Sequence, residues 1–145
     1  MKVSELMTGS PACATPDQTL RDVASMMKQH DCGCVPVQDG VSGKLIGVVT
    51  DRDIVMRAVA TGRGSETSVR DVMSKDPACC GADDDVEKVQ KIMAEKQVRR
   101  VPVIDANGKA VGIVAQADLA RAANGHGKVS DRDLAKVVES VSAAR

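Results

Sequence analysis

The chain has 145 residues, the size of one typical domain, and its 20 basic and 20 acidic residues cancel to zero net charge. Without a basic stripe or charged tail, this composition argues against nucleic acid or a membrane surface as a partner. The sequence lacks Phe, Tyr and Trp, the side chains on which single-stranded nucleic acid usually stacks. It contains no signal peptide and no apolar segment of membrane length, which predicts a soluble, cytoplasmic protein.

The first half of the chain predicts a helix, a β-hairpin and a second helix. Apolar residues at i, i+3/i+4 and i+7 predict the first helix over residues 19–30, with Thr19 as its starting residue. Short β-branched segments predict strands over residues 34–38 and 45–49, joined by a Gly- and Asp-containing turn. The second helix is expected over residues 51–60.

The second half predicts the same elements in the same order. A helix over residues 85–96 starts at Asp85, and strands follow over residues 100–104 and 110–114. The next helix is expected over residues 116–123. A final helix should begin at Ser130, where Ser130-Asp-Arg-Asp133 forms a capping box, and run towards residue 144.

The two halves are copies of one supersecondary unit. Val3-Ser-Glu-Leu-Met7 recurs as Val69-Arg-Asp-Val-Met73, and Val35-Pro-Val37 recurs as Val101-Pro-Val103. Each copy therefore reads as short helix, strand, helix, strand, strand, helix. The boundaries that follow are residues 1–62 for repeat one, 63–68 for a linker, 69–124 for repeat two, and 125–145 for a connector and C-terminal helix.

Two segments, Gly47-Val-Val-Thr-Asp-Arg-Asp-Ile54 and Gln97-Val-Arg-Arg-Val-Pro-Val-Ile-Asp105, carry a family resemblance. With the duplication, they make residues 3–123 resemble the CBS-domain pair, or Bateman module, of small stand-alone bacterial proteins. The resemblance implies an α/β fold with tandem CBS repeats, each α-β-α-β-β-α, packed with pseudo-two-fold symmetry, plus a C-terminal helix. It also implies two clefts between the repeats for AMP, ADP, ATP or S-adenosylmethionine, and disc-shaped dimers of two pairs.

The resemblance places ribose at the Thr50-x-x-Asp53 turn, where a carboxylate can accept hydrogen bonds from both ribose hydroxyls. The same four residues are also a capping box, which would serve only to start a helix. Repeat two keeps Asp118, a candidate to hold a second ribose, but has Ala115 in the position of Thr50, where it can neither cap the helix nor bond a ligand. Its cleft is therefore the weaker candidate.

The resemblance also places the remaining nucleotide contacts on the strands and at their ends. Arg99 and Arg100 would bind phosphate, for which the bidentate guanidinium is suited, although adjacent arginines at a strand start are often only a solvated edge. Adenine would lie against backbone of the first strand and an aliphatic wall from the second. The residues expected there are Cys34, Val35, Val37 and Val48.

The five cysteines, at positions 13, 32, 34, 79 and 80, do not suggest a disulfide framework, because their number is odd. Neither Cys32-Gly-Cys34 nor Cys79-Cys80 has a strong zinc-binding spacing, so no metal site is predicted. Cys13 and Cys79 hold the same repeat position and are expected to be small buried residues in a strand.

The sequence therefore predicts a regulatory module that senses adenine nucleotides and responds by a change of conformation or assembly. It should need no cofactor, form a homodimer, and act on a separate target protein that the sequence does not identify. It is not expected to be an enzyme, because no nucleophile–base pair can be named. Two alternatives remain: a cysteine-based redox or metal responder, since Cys32 and Cys34 flank the predicted cleft, and a ligand-free structural dimer.

Overall fold

The computed structural model describes residues 1–126 and 130–142, and the chain divides into two compact units. The repeat-one unit contains Pro11–Pro77 and Asn107–Ala110. The repeat-two unit contains the described residues of Met1–Ser10, Ala78–Ala106 and Val111–Arg145. Within the described residues, no helix has both the length and the apolar character needed to cross a membrane.

Most predicted elements are present close to their expected bounds. The strands are β1 (Thr8–Gly9), β2 (Cys34–Gln38), β3 (Leu45–Thr50), β4 (Ser74–Lys75), β5 (Cys80–Gly81), β6 (Arg100–Ile104) and β7 (Ala110–Ala115). The helices are α1 (Leu20–His30), α2 (Asp51–Asp53), α3 (Val86–Lys96), α4 (Gln116–His126) and α5 (Asp131–Ser142). Short 3-10 turns at Val3–Glu5 and Val69–Asp71 open the two repeats. The mixed α/β fold with a duplicated order of elements is therefore confirmed.

The repeat-one unit is built on a three-stranded antiparallel sheet in the order β2-β3-β4. In the β2–β3 hairpin Cys34 lies opposite Thr50 and Val37 lies opposite Gly47. A separate bridge joins Ala14 to Val37 in parallel. Helix α1 begins at Leu20 with Thr19 as its N-cap, the starting residue that was predicted, and Leu20 and Val23 pack into the buried apolar core of the unit.

The helix predicted over residues 51–60 is not one regular helix, and this expectation was wrong. After α2 the backbone widens into a π-helical turn at Ile54–Ala58 and then tightens into a 3-10 turn at Val59–Thr61. The wide turn carries Arg57, whose Nη1 donates to the carbonyl oxygens of Val72 at 3.1 Å and Met73 at 3.4 Å. A pattern of apolar residues does not distinguish such a turn from an α-helix.

The repeat-two unit has a four-stranded sheet in the order β1-β7-β6-β5. Helix α4 was expected to end at residue 123 but continues to His126, because the single Gly125 costs a helix only about 1 kcal/mol. Helix α5 packs against α3 and α4, with Val137 and Val141 buried. The expected connector around residues 127–129 and the extension of α5 to residue 144 lie outside the described residues.

The opening segments of the two repeats are exchanged between the compact units. Strand β1 of repeat one pairs with β7, and β4 of repeat two pairs with β3. A glycine permits each close approach: a Cβ on Gly47 would lie 2.9 Å from Met73 Sδ, and one on Gly112 would lie 2.5 Å from Met7 Sδ. Gly47, the first residue of the Gly47–Ile54 segment, therefore allows β4 to pack closely against β3.

Candidate functional site

The Thr50–Asp53 turn lies at one end of the β2–β3 hairpin. Asp51 N donates to the Gly33 carbonyl at 3.0 Å and so joins the start of α2 to the residue before β2. Thr50 Oγ1 accepts from Asp53 N at 3.1 Å, and Asp53 Oδ2 accepts from Thr50 N at 3.0 Å. The alternative of a reciprocal capping box is therefore confirmed as one role of these two residues.

The capping role uses only one of the two carboxylate oxygens of Asp53. Its Oδ1 lies 3.9 Å from Nε of Arg57, an ion pair that is too long for a hydrogen bond. The guanidinium of Arg57 is instead directed to the Val72 and Met73 carbonyls. The Asp53 side chain is 15% exposed, so Oδ1 is a partly desolvated acceptor that the turn leaves without a hydrogen bond among the described residues.

The expected adenine contacts fall on two faces of the hairpin. Val48 shares a face with Thr50 because side chains alternate along a strand, and it is half-buried. Val35 and Val37 are fully buried in the repeat-one core, so only their backbone could meet a ligand. Cys34, opposite Thr50, is buried at the same end of the hairpin as the capping box.

The corresponding turn of repeat two is occupied differently. Asp118 is 5% exposed, and its Oδ2 accepts from Ala115 N at 2.7 Å, which is half of a capping box. Its Oδ1 accepts a hydrogen bond from Nη2 of Arg121, one turn further along α4. Both oxygens of Asp118 are therefore engaged within the chain.

Arg99 and Arg100 are half-buried rather than a fully solvated edge. The Arg99 carbonyl accepts from Gln116 N at 2.8 Å, which ties the start of β6 to the start of α4. Nε of Arg99 is buried and has no hydrogen-bond partner among the described residues. The structure thus places both arginines in the repeat-two unit together with Asp118, whereas Thr50, Asp53, Cys34 and Val48 belong to the repeat-one unit.

The buried cysteine position was predicted one residue too early. Cys13 and Cys79 are half-buried and lie outside the strands, whereas the next residues, Ala14 and Cys80, are buried and bridge to the central strands. A shift of one residue reverses which side chain faces the core. Burial raises the pKa of Cys80 to about 11, with Asp84 and Cys79 adding to the shift.

In residues 1–126 and 130–142 no three His, Cys, Asp or Glu side chains are grouped so as to hold a metal ion. No disulfide joins the cysteines at positions 13, 32, 34, 79 and 80, all of which lie in the described part of the chain.

Sequence reasoning missed a second complete capping box at the start of α1. Thr19 Oγ1 accepts from Asp22 N at 3.2 Å, and Asp22 Oδ2 accepts from Thr19 N at 3.0 Å. The T-x-x-D spacing is visible in the sequence and could have identified it. Because this box has the same hydrogen bonds as Thr50–Asp53, but on an exposed turn, it provides an internal control for the capping function.

Comparison with known proteins assigns both repeats to one family. A family model described as CBS domain matches residues 3–60 and 69–125. The CBS domain-containing protein YhcV of Bacillus subtilis (strain 168) is 42% identical over 118 residues, which cover 81% of this chain and 82% of that protein.

Three solved structures that are similar to this chain contain different bound ligands. Hypoxic Response Protein I, with two coordinated zinc ions, is 33% identical, with a TM-score of 0.74 over 83% of this chain and 98% of that one. The CBS domain pair of protein MJ0100, in complex with 5-methylthioadenosine and S-adenosyl-L-methionine, is 26% identical, with a TM-score of 0.79 over 86% and 97%. CBSX2 in complex with AMP is 26% identical, with a TM-score of 0.70 over 85% and 96%.

Proposed function

The chain belongs to the CBS-domain family as a tandem pair of repeats, and we propose that it is a regulatory, non-catalytic protein that binds an adenine nucleotide at the Thr50–Asp53 turn. The observation that carries the proposal is the Oδ1 of Asp53, which the capping box fixes in place and which accepts no hydrogen bond among the described residues. A partly desolvated carboxylate oxygen is a strong acceptor for ribose hydroxyls. Similar CBS pairs bind AMP in one case and S-adenosyl-L-methionine in another, and both ligands contain adenosine.

We propose Arg99 and Arg100 as the phosphate contacts. The buried Nε of Arg99 has no partner among the described residues, which is costly for a charged group unless a ligand supplies an acceptor. Guanidinium groups bind phosphate through paired N–H donors, which favours AMP, ADP and ATP over a ligand without phosphate. The adenine is proposed to lie against Val48 and the backbone of Cys34, Val35 and Val37.

The response is proposed to be a change in conformation or assembly. A nucleotide shifts such an equilibrium only by as much as it binds one state better than the other. We propose a homodimer that acts on a separate target protein. The homodimer is supported by an exposed apolar surface, which we call the dimer patch and which consists of Val55, Met56 and Val59. These three large side chains are 55%, 52% and 66% exposed, respectively.

Isothermal titration calorimetry of AMP, ADP, ATP and S-adenosylmethionine tests the nucleotide proposal directly, because the chain has no aromatic residue for fluorescence. The Asp53→Asn substitution should weaken nucleotide binding at least about tenfold, since a hydrogen bond to a charged group is lost. The matched control is Asp22→Asn in the other capping box. It should reduce stability about as much as Asp53→Asn and leave the affinity unchanged.

Two results would contradict the nucleotide proposal. One is the absence of heat from all four ligands with protein shown to be free of bound nucleotide, which would favour the structural-dimer alternative. The other is equal affinity in wild type and Asp53→Asn, which would restrict Asp53 to its capping role. The paired variants Thr50→Ala and Thr19→Ala extend the comparison, because each removes one cap worth about 1 kcal/mol.

A further inference from the structure

Asp118 is the single buried charged residue among the described residues, and both its oxygens are already bonded. We infer that Arg121 is a built-in counter-ion that closes the repeat-two turn to ribose, so that each chain binds one nucleotide, at repeat one. The inference rests on the proposed function and goes beyond it by assigning the number of sites and the residue that determines it.

A buried carboxylate must be compensated by a charge or by hydrogen bonds. Ala115 N supplies one hydrogen bond to Asp118, and the guanidinium of Arg121 supplies both a second and the opposite charge. A ribose hydroxyl entering this turn would have to displace a donor that also supplies the compensating positive charge, and the hydroxyl itself carries no charge. The pairing therefore disfavours ribose at Asp118.

In repeat one, no arginine donates a hydrogen bond to Asp53 among the described residues. The residue that corresponds to Arg121 is Met56, which has no hydrogen-bond donor in its side chain. Among the described residues, the cation paired with Asp53 is Arg57, whose Nε lies 3.9 Å from Oδ1 while its Nη1 donates to the Val72 and Met73 carbonyls. The two turns thus differ both in the hydroxyl of Thr50 and in the availability of a carboxylate oxygen.

The test is the stoichiometry of AMP binding by calorimetry, per chain. Wild type should bind one AMP. The double variant Arg121→Met with Ala115→Thr, which gives positions 115 and 121 the side chains of Thr50 and Met56, should bind two. Ala115→Thr alone, which keeps Arg121, should still bind one, and two AMP there would contradict closure by Arg121. Arg132→Met is the matched control, because it removes an exposed arginine from α5 and should leave the stoichiometry at one.

Removing the counter-ion of a buried carboxylate carries a risk of misfolding, which circular dichroism and thermal melting would reveal. Arg121→Gln with Ala115→Thr covers this case, because a neutral amide can still donate to Asp118 but is displaced more easily than a guanidinium. It should also bind two AMP, with the second site weaker than in the methionine variant.

The outcomes separate this inference from the proposed function. Two AMP per chain in wild type, or one in wild type and one in both double variants, would overturn the closure by Arg121 and leave nucleotide binding intact. No AMP in any variant would overturn both. AMP bound only by the double variants would support closure by Arg121 and contradict the site at Thr50–Asp53.

Discussion

The reactivity of the neighbouring thiols of Cys79 and Cys80 depends on how deeply each side chain is buried. Cys80 is 2% exposed and has a pKa of about 11, because burial disfavours the thiolate and Asp84 lies nearby. Its neighbour Cys79 is half-buried, and Lys88 partly offsets the rise in its pKa that burial causes. The vicinal pair is therefore made of two unequal thiols, which does not favour it as a redox sensor.

This difference predicts the order of alkylation in the native protein. At pH 8, three units below its pKa, only about a thousandth of Cys80 is thiolate, so iodoacetamide should modify it at least about tenfold more slowly than Cys79. Peptide mass spectrometry over time gives both rates, with urea-unfolded protein as the control in which the difference disappears. Equal native rates, or rapid modification of Cys34 at the Thr50 end of the hairpin, would revive the thiol-based alternative.

At the residue scale, the capping hydrogen bonds between residues three apart could be predicted from the sequence. An ion pair whose exposed cation has several possible positions could not. The Thr50–Asp53 capping box could be predicted because its hydrogen bonds join residues three apart. The bond from Arg121 to Asp118 spans the same distance, but Arg121 is 72% exposed, and such a side chain has many alternative positions in solvent. Only the burial of Asp118 fixes this pairing, and burial depends on the tertiary structure.

At the element scale, periodicity was sufficient for α1, α3 and both hairpins, because these elements form from neighbouring residues. It could not predict the exchange of opening segments. Since the repeats are copies, Met7 could pack against Gly47 or Gly112 with the same local pattern, and Met73 faces the same choice. The actual partners are Gly112 for Met7 and Gly47 for Met73, and a local pattern that both repeats share does not distinguish between them.

Gly47→Ala should destabilise the repeat-one unit by about 1–3 kcal/mol, because the new Cβ would lie 2.9 Å from both Met73 Sδ and the Ser74 carbonyl oxygen. Met73 could move, but the Ser74 backbone is held in β4. Gly64→Ala is the control: nothing lies within 4 Å of its Cβ, so it should be neutral or stabilise by up to about 1 kcal/mol. Urea unfolding followed by circular dichroism measures both, and equal stabilities would contradict the close approach of β4.

At the scale of the whole molecule, the surfaces of the two repeats differ in how they are covered. In the repeat-two unit α5 packs on α3 and α4 and buries Val137 and Val141. In the repeat-one unit the helical segment equivalent to α4 keeps the dimer patch, Val55, Met56 and Val59, exposed in the single chain. A second copy of the chain is the partner we propose for this surface, because three adjacent apolar side chains are costly to leave in water.

Met56→Asp, which places a charge at the centre of the dimer patch, should therefore weaken self-association. A central apolar contact of this kind is typically worth about 2 kcal/mol, or roughly a 30-fold rise in the dissociation constant of the dimer. Val41→Asp is the matched control, because Val41 is fully exposed at the β2–β3 turn and undergoes the same change of charge. Sedimentation velocity should show twice the 15.2 kDa chain mass for wild type and Val41→Asp, and a shift towards monomer for Met56→Asp. A monomeric wild type would contradict the proposed homodimer, and a dimer insensitive to Met56→Asp would show that its interface lies outside the dimer patch.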